Sequence, residues 1–130
     1  MSENGAPAIG TVGWVDLTVE EAPRLRDFYA AVVGWKAVDV DMGGYADYSM
    51  QNAAGATVAG VCHARGANSD LPPVWLVYFV VEDLDQAIAA SRERGGELVA
   101  PPRSAGPSAR YAVLRDPEGA TFALYQPAAR

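Results

Sequence analysis

The sequence predicts an α+β domain made of two tandem copies of one βαβββ unit. Three pairs of short segments carry this. Val19-Glu20-Glu21 returns as Val81-Glu82-Asp83, 62 residues on, and Gly34 returns at the same spacing as Gly96. Gly55-Ala56-Thr57 returns as Gly119-Ala120-Thr121, 64 residues on. A long period present only twice reads as a fused pair of supersecondary units, since a solenoid needs about three or more repeats to cover its core. Two such units facing each other enclose a shared cleft, and function is expected on the surface they share.

Residues 1–9 read as a loose tail before a single domain over 10–127. The first unit spans about 10–64. Thr11 to Val19 alternates as a strand, and a helix follows from about Glu21 to Val33. Leu25, Phe28, Tyr29, Val32 and Val33 fall at i, i+3, i+4, i+7 and i+8, the spacing of one apolar helix face. Pro23 fits the first turn, where its missing N–H is not needed, and Gly34 ends the helix in the left-handed region. Trp35–Val40, Tyr45–Met50 and Thr57–His63 read as strands, with a turn at Gly55. Residues 65–73 form a polar linker that ends in two prolines.

The second unit, about 74–127, repeats the order. Val74 to Val81 is apolar enough to be covered on both faces. Asp83 with Gln86 reads as a capping box, and Leu84, Ala87, Ile88 and Ser91 line one face of a helix to Arg94. Gly95-Gly96 stops it. Strands at Glu97–Ala100, Arg110–Arg115 and Thr121–Tyr125 complete the copy, and the proline-rich loop 101–108 reads as a surface flap.

Composition bounds the function. The chain has 130 residues, is 50% hydrophobic and 20% charged, and has room for a real core. Its formal charge is −6, with a pI of about 4.6, and Lys36 is its only lysine. Nucleic acid is not an expected partner, because phosphate neutralisation needs clustered Lys and Arg. No apolar run approaches the roughly 20 residues of a membrane span, and the N-terminus lacks the pattern of a signal peptide. One cysteine, Cys62, allows no internal disulfide. A cytoplasmic protein is expected.

The βαβββ pair, with Phe28-Tyr29 in the first helix, Gly34-Trp35 after it and Asp116-Pro117-Glu118-Gly119 before the last strand, resembles the vicinal oxygen chelate superfamily. That group holds glyoxalase I, extradiol dioxygenases and bleomycin resistance proteins, and the resemblance covers roughly residues 10–127. It implies that the two units form a curled mixed sheet, a funnel whose concave side binds ligands. It also implies a homodimer, since related single-domain proteins build pockets between chains and an open sheet leaves edges to cover. Metal-using members place one ligand on the first and one on the last strand of each unit. Aligned on the repeated segments, those positions are Trp14, Ala59, Leu76 and Ala123. An indole, a leucine and two alanines offer no donor, so no metal and no other cofactor are expected.

Strand alternation assigns the funnel face as Val12, Trp14 and Asp16; Thr57, Ala59, Val61 and His63; Val74, Leu76, Tyr78 and Val80; and Thr121, Ala123 and Tyr125. Val15, Leu17, Val58, Phe79, Val81, Phe122 and Leu124 are assigned to the core beneath the helices. The first set mixes rings with small residues, and alanines opposite aromatics leave volume for a guest. Its ligand-binding candidates are Trp14, Asp16, Ala59, Val61, His63, Leu76, Tyr78, Ala123 and Tyr125, joined by Tyr48 as a possible wall of the funnel. Trp14, Tyr78 and Tyr125 would stack a flat ligand.

Each candidate has a plainer reading. Trp14 can be core or interface. Asp16 can be paired with Arg110 or Arg115, although as a carboxylate on a buried-looking strand it is also the one candidate catalytic base. His63, beside a polar linker and without a carboxylate partner visible in the sequence, reads as solvated. Cys62 reads as a small helix-facing hydrophobe. Glu20, Glu21, Glu82 and Asp83 read as charges favoured at helix N-termini.

The expected function is metal-free binding of a small apolar or aromatic molecule, of the bleomycin-resistance kind. The alternatives are a metal-independent isomerase, lyase or biosynthetic tailoring enzyme with Asp16 as general base, and an accessory dimer without a ligand.

Overall fold

A computed structural model describes residues 7–128, so most of the expected tail at 1–9 lies outside the described residues. The chain forms two compact units. One runs from Trp14 to Trp75, and the other joins the described residues before Trp14 to the chain from Leu76 on.

The Trp14–Trp75 unit holds most of β1 (Val12–Val19), then α1 (Ala22–Val33), β2 (Lys36–Asp41), β3 (Ala46–Gln51) and β4 (Thr57–His63). Its strands lie in the order β2-β3-β4-β1, with β1 and β4 parallel and the other pairs antiparallel. The core lies between sheet and helix. Ala22, Tyr48, Met50, Ala59 and Val61 are buried there, with Val15, Val19, Leu25 and Trp35 packed against them. Full burial of a side chain such as Met50 contributes about 1.5–3 kcal/mol.

Helix α1 ends as its sequence demands. Pro23 sits in the first turn, and Gly34 adopts φ 86° while its N–H bonds the Ala30 carbonyl. Its apolar stripe divides, however. Leu25 and Tyr29 turn inward, whereas Phe28, Val32 and Val33 are 54%, 65% and 51% exposed. Tyr29 is held in an aromatic cluster with Trp35 and Trp75, and Trp75 Nε1–H donates to its hydroxyl at 3.1 Å.

The other unit holds β5 (Trp75–Val80) from Leu76 on, then α2 (Leu84–Glu93), β6 (Glu97–Leu98), β7 (Arg103–Ser104), β8 (Arg110–Arg115) and β9 (Thr121–Gln126). The order is β5-β9-β8-β6, with β7 also on β8, and β5 and β9 are parallel. The supposed flap at 101–108 therefore carries a short strand of its own. Leu84, Ile88, Ala112, Leu114 and Leu124 form the core. Asp83 caps α2 by accepting the Gln86 N–H at 3.1 Å, and Gln126 Oε1 accepts a further first-turn N–H, that of Leu84, at 2.7 Å. Phe79, assigned to the core, is instead 40% exposed, so β5 is not covered on both faces.

The repeated Gly-Ala-Thr segments have a common cause. Asn52 Oδ1 accepts the N–H groups of Ala54 and Ala56, and Asp116 Oδ1 accepts those of Glu118 and Ala120. Each turn then needs a left-handed residue, supplied by Gly55 at φ 85° and Gly119 at φ 87°. The same turn opens the last strand of each copy.

Candidate functional site

The parallel pairing of β1 with β4 decides which side chains share a face. Asp16 stands opposite Gly60, Leu17 opposite Val61 and Thr18 opposite Cys62. Trp14 and Asp16 therefore share the face that lacks a helix with Gly60 and Cys62. Ala59 and Val61 lie on the other face, in the core beneath α1. Tyr48 pairs with Val61 and is buried in that same core, where the Arg26 guanidinium lies 4.8 Å from its ring centre. These three residues are thus removed from the expected binding face, and Cys62, expected beneath the helix, is added to it. Alternation alone predicted two faces for β4, but the choice between them followed the wrong parity.

On the helix-free face, Trp14 Nε1–H donates to Asp16 Oδ2 at 3.2 Å. Gly60 lies beneath both: a Cβ built there would stand 3.2 Å from Trp14 Cζ2 and 3.2 Å from Asp16 Cβ. The missing side chain lets the indole lie against the strand. Arg110 and Arg115, considered as partners of Asp16, engage Asp85 and Glu97 instead, at 3.0 Å each. Burial, then the charges of Asp16 and Asp47, push the Cys62 thiol far above its ordinary range. Cys62 is therefore a neutral thiol and not a nucleophile.

His63 is not solvated. Its side chain is 17% exposed, and Nδ1 lies 3.1 Å from Asp47 Oδ1. That oxygen also accepts the His63 backbone N–H at 2.8 Å. The Tyr45 ring stands edge-on to the imidazole at 5.3 Å, and Arg65 lies 3.9 Å over Tyr45. Asp47 is 16 residues from His63 in sequence. The signal that could have found it is the β3–β4 hairpin: pairing Tyr48 with Val61 brings position 47 to the end of β4.

In the Leu76–Arg130 unit, alternation assigned the faces of β5 and β9 correctly. Tyr78 stands opposite Ala123, and Val80 opposite Tyr125, away from the α2 core. Leu76 and Ala123 are buried on that face. Tyr111, opposite Tyr125 on β8, was not anticipated. Its ring centre is 6.0 Å from that of Tyr78, and Arg103 Nη1 reaches its hydroxyl at 3.5 Å. Trp14 thus belongs to one unit, and Tyr78 and Tyr125 to the other.

The four positions that align with family metal ligands do not fit a metal. Trp14 uses its only nitrogen as a donor to Asp16, and Ala59, Leu76 and Ala123 are buried and carry no donor atom. Moving from Ala59 to its neighbour on the Trp14 face gives Gly60, which has none either. Among the described residues, no three of His, Cys, Asp and Glu converge as a metal would require.

Comparison with known proteins agrees with this architecture. A family model described as Glyoxalase/Bleomycin resistance protein/Dioxygenase superfamily matches residues 11–124. The candidate glyoxylase CFP32 of Mycobacterium bovis is 33% identical over 119 residues, covering 90% of this chain and 46% of its own length. The anthracycline biosynthesis protein DnrV of Streptomyces peucetius is 31% identical over 134 residues, covering 94% and 47%. The chain therefore spans about half the length of these curated relatives. Among solved structures, methylmalonyl-CoA epimerase of Streptomyces coelicolor superposes with a TM-score of 0.59 at 16% identity, covering 94% of this chain and 100% of its own. At that identity the likeness is one of fold alone. No helix among the described residues is long and apolar enough to cross a membrane. With the model match extending over nearly all of both units, the chain belongs to the glyoxalase/bleomycin resistance protein/dioxygenase superfamily.

Proposed function

We propose that this protein binds a small, flat organic molecule on the helix-free face around Trp14, and that it does so without a metal. One observation carries the reading: the Trp14 indole is pinned by Asp16 above a residue with no side chain. An aromatic ring held in one orientation loses little freedom when a guest stacks on it, and so binds more tightly than a mobile one. The absence of donors at the aligned ligand positions supports metal independence. The relative named for anthracycline biosynthesis is in keeping with a small organic guest. Asp16, a carboxylate beside the stacking ring, favours a second reading on the same face, an isomerase or lyase with Asp16 as general base.

We also propose a homodimer in the cytoplasm, formed over the outer face of α1. That face carries Phe28 and Val32, while the positions 62 residues on, in α2 and at its C-cap, are Ala90 and Arg94. Large apolar groups exposed on one copy of a repeat, replaced by a small residue and a charged one on the other, mark the first as the covered side.

Titration with a planar quinone such as anthraquinone-2-sulfonate tests the binding reading through tryptophan fluorescence. Saturable quenching in the native protein, lost in Trp14→Phe, supports it. Equal quenching in both would remove Trp14 from the site, and turnover lost only in Asp16→Asn would favour the enzyme reading.

A further inference from the structure

A second polar centre lies outside the stacking site. His63 is the only histidine of the chain; Asp47 Oδ1 accepts its backbone N–H at 2.8 Å and lies 3.1 Å from its Nδ1. Two bonds from one residue to one oxygen fix both the backbone and the ring. An ionised carboxylate there would only accept, which would place the ring proton on Nδ1 and the lone pair on Nε2. Both side chains are mostly removed from water, with 17% and 13% exposure.

The neighbourhood suits an anion. The Arg65 guanidinium lies over the Tyr45 ring, 3.9 Å from its centre, and a guanidinium held on a ring face still has N–H groups for hydrogen bonds. The Tyr48 ring centre is 6.0 Å from the imidazole, and Arg26 lies 4.8 Å from that ring. Val19 pairs with His63, so the centre sits at the carboxyl ends of the parallel strands β1 and β4. Open sheets with parallel strands and covering helices commonly place ligands at those ends.

We propose that Asp47 and His63 form a proton-accepting dyad, with His63 Nε2 as the base and Asp47 as its positioning residue, acting on small organic anions held through Arg65. In the step, an X–H bond of the bound anion breaks, its proton passes to Nε2 and the electron pair stays on X. The imidazolium so formed is stabilised by the Asp47 carboxylate, and no further reactant is needed. The pH dependence of the step is set by Asp47 on β3, by the neighbouring Tyr45 and Tyr48, by the thiol of Cys62, and by the charges of Arg65 and of Arg26 on α1. This proposal does not depend on Trp14.

The single histidine makes the test unambiguous. Long-range ¹H–¹⁵N spectra at about pH 9 should show one neutral tautomer with the proton on Nδ1, lost in Asp47→Asn. Release of 4-nitrophenolate from 4-nitrophenyl acetate reports the reactivity of Nε2. It should fall ~100-fold in His63→Gln and about tenfold in Asp47→Asn, and inorganic phosphate should inhibit it in the native protein but not in Arg65→Gln. A proton on Nε2, or ester cleavage unchanged in His63→Gln, would overturn the dyad. Should His63→Gln fail to fold, the tautomer of the native protein and the Arg65→Gln inhibition pattern decide it. The tautomer is read with no ligand present and the quinone titration reads Trp14 alone, so this proposal and the stacking site fail separately.

Discussion

Gly60 stands directly opposite Asp16 across the parallel strands, and this pairing leaves the Trp14 indole its place against β4. Gly60→Ala puts a methyl 3.2 Å from both Trp14 Cζ2 and Asp16 Cβ, tighter than ordinary contact. Urea denaturation should show a loss of about 1–2 kcal/mol, together with a shifted tryptophan emission. Unchanged stability and emission would mean that the ring is not seated there.

Asp16 holds that ring through a single 3.2 Å bond. Asp16→Asn keeps an acceptor oxygen and should preserve the emission spectrum. Asp16→Leu removes the acceptor and should lower stability by about 1–3 kcal/mol, since the indole N–H then loses its partner. Equal spectra for the two variants would dismiss the bond.

Cys62 gives a dependence on pH with a definite sign. Burial, with Asp16 and Asp47 close by, raises its folded value above the ordinary 9.0. The folded state therefore holds the thiol proton more tightly than the unfolded state. This contribution is complete below about pH 9 and is lost as the pH rises beyond it. Stability measured from about pH 8 to pH 11 should fall more steeply for the native protein than for Cys62→Ala. Thiol reagents should react with the folded protein only slowly.

Phe28 and Val32 present a row of apolar surface one helical turn apart. Phe28→Ser combined with Val32→Asp should convert the proposed dimer to a monomer in sedimentation equilibrium, with the fold intact by circular dichroism; a native protein that sediments as a monomer would overturn the dimer. The polar face of α2 provides the control: Gln86→Ser should leave the association state unchanged.

Much of the fold was legible because local rules and the repeat agreed. The turns at Gly55 and Gly119, the cap at Asp83 and the stop at Gly34 are all written in side chains that act within a few residues. The faces were harder. Period-two alternation divides β4 into Ala59-Val61 and Gly60-Cys62, but only pairing across strands says which set meets Trp14. The same rule worked on β5 and β9 because Tyr78 does stand opposite Ala123. Helical periodicity likewise revealed that α1 has apolar positions, but not that Phe28 and Val32 remain uncovered. The bond from His63 to Asp47 was invisible because it crosses a hairpin.

Strand β4 has one further consequence. Its alternate residues face the core beneath α1 and the helix-free side, so the two cannot be altered independently. A larger residue at Ala59, hidden beneath α1, would displace the backbone that carries Gly60 and Cys62. If the proposed guest binds there, selection for a different one acts from behind the sheet, through positions that never meet it.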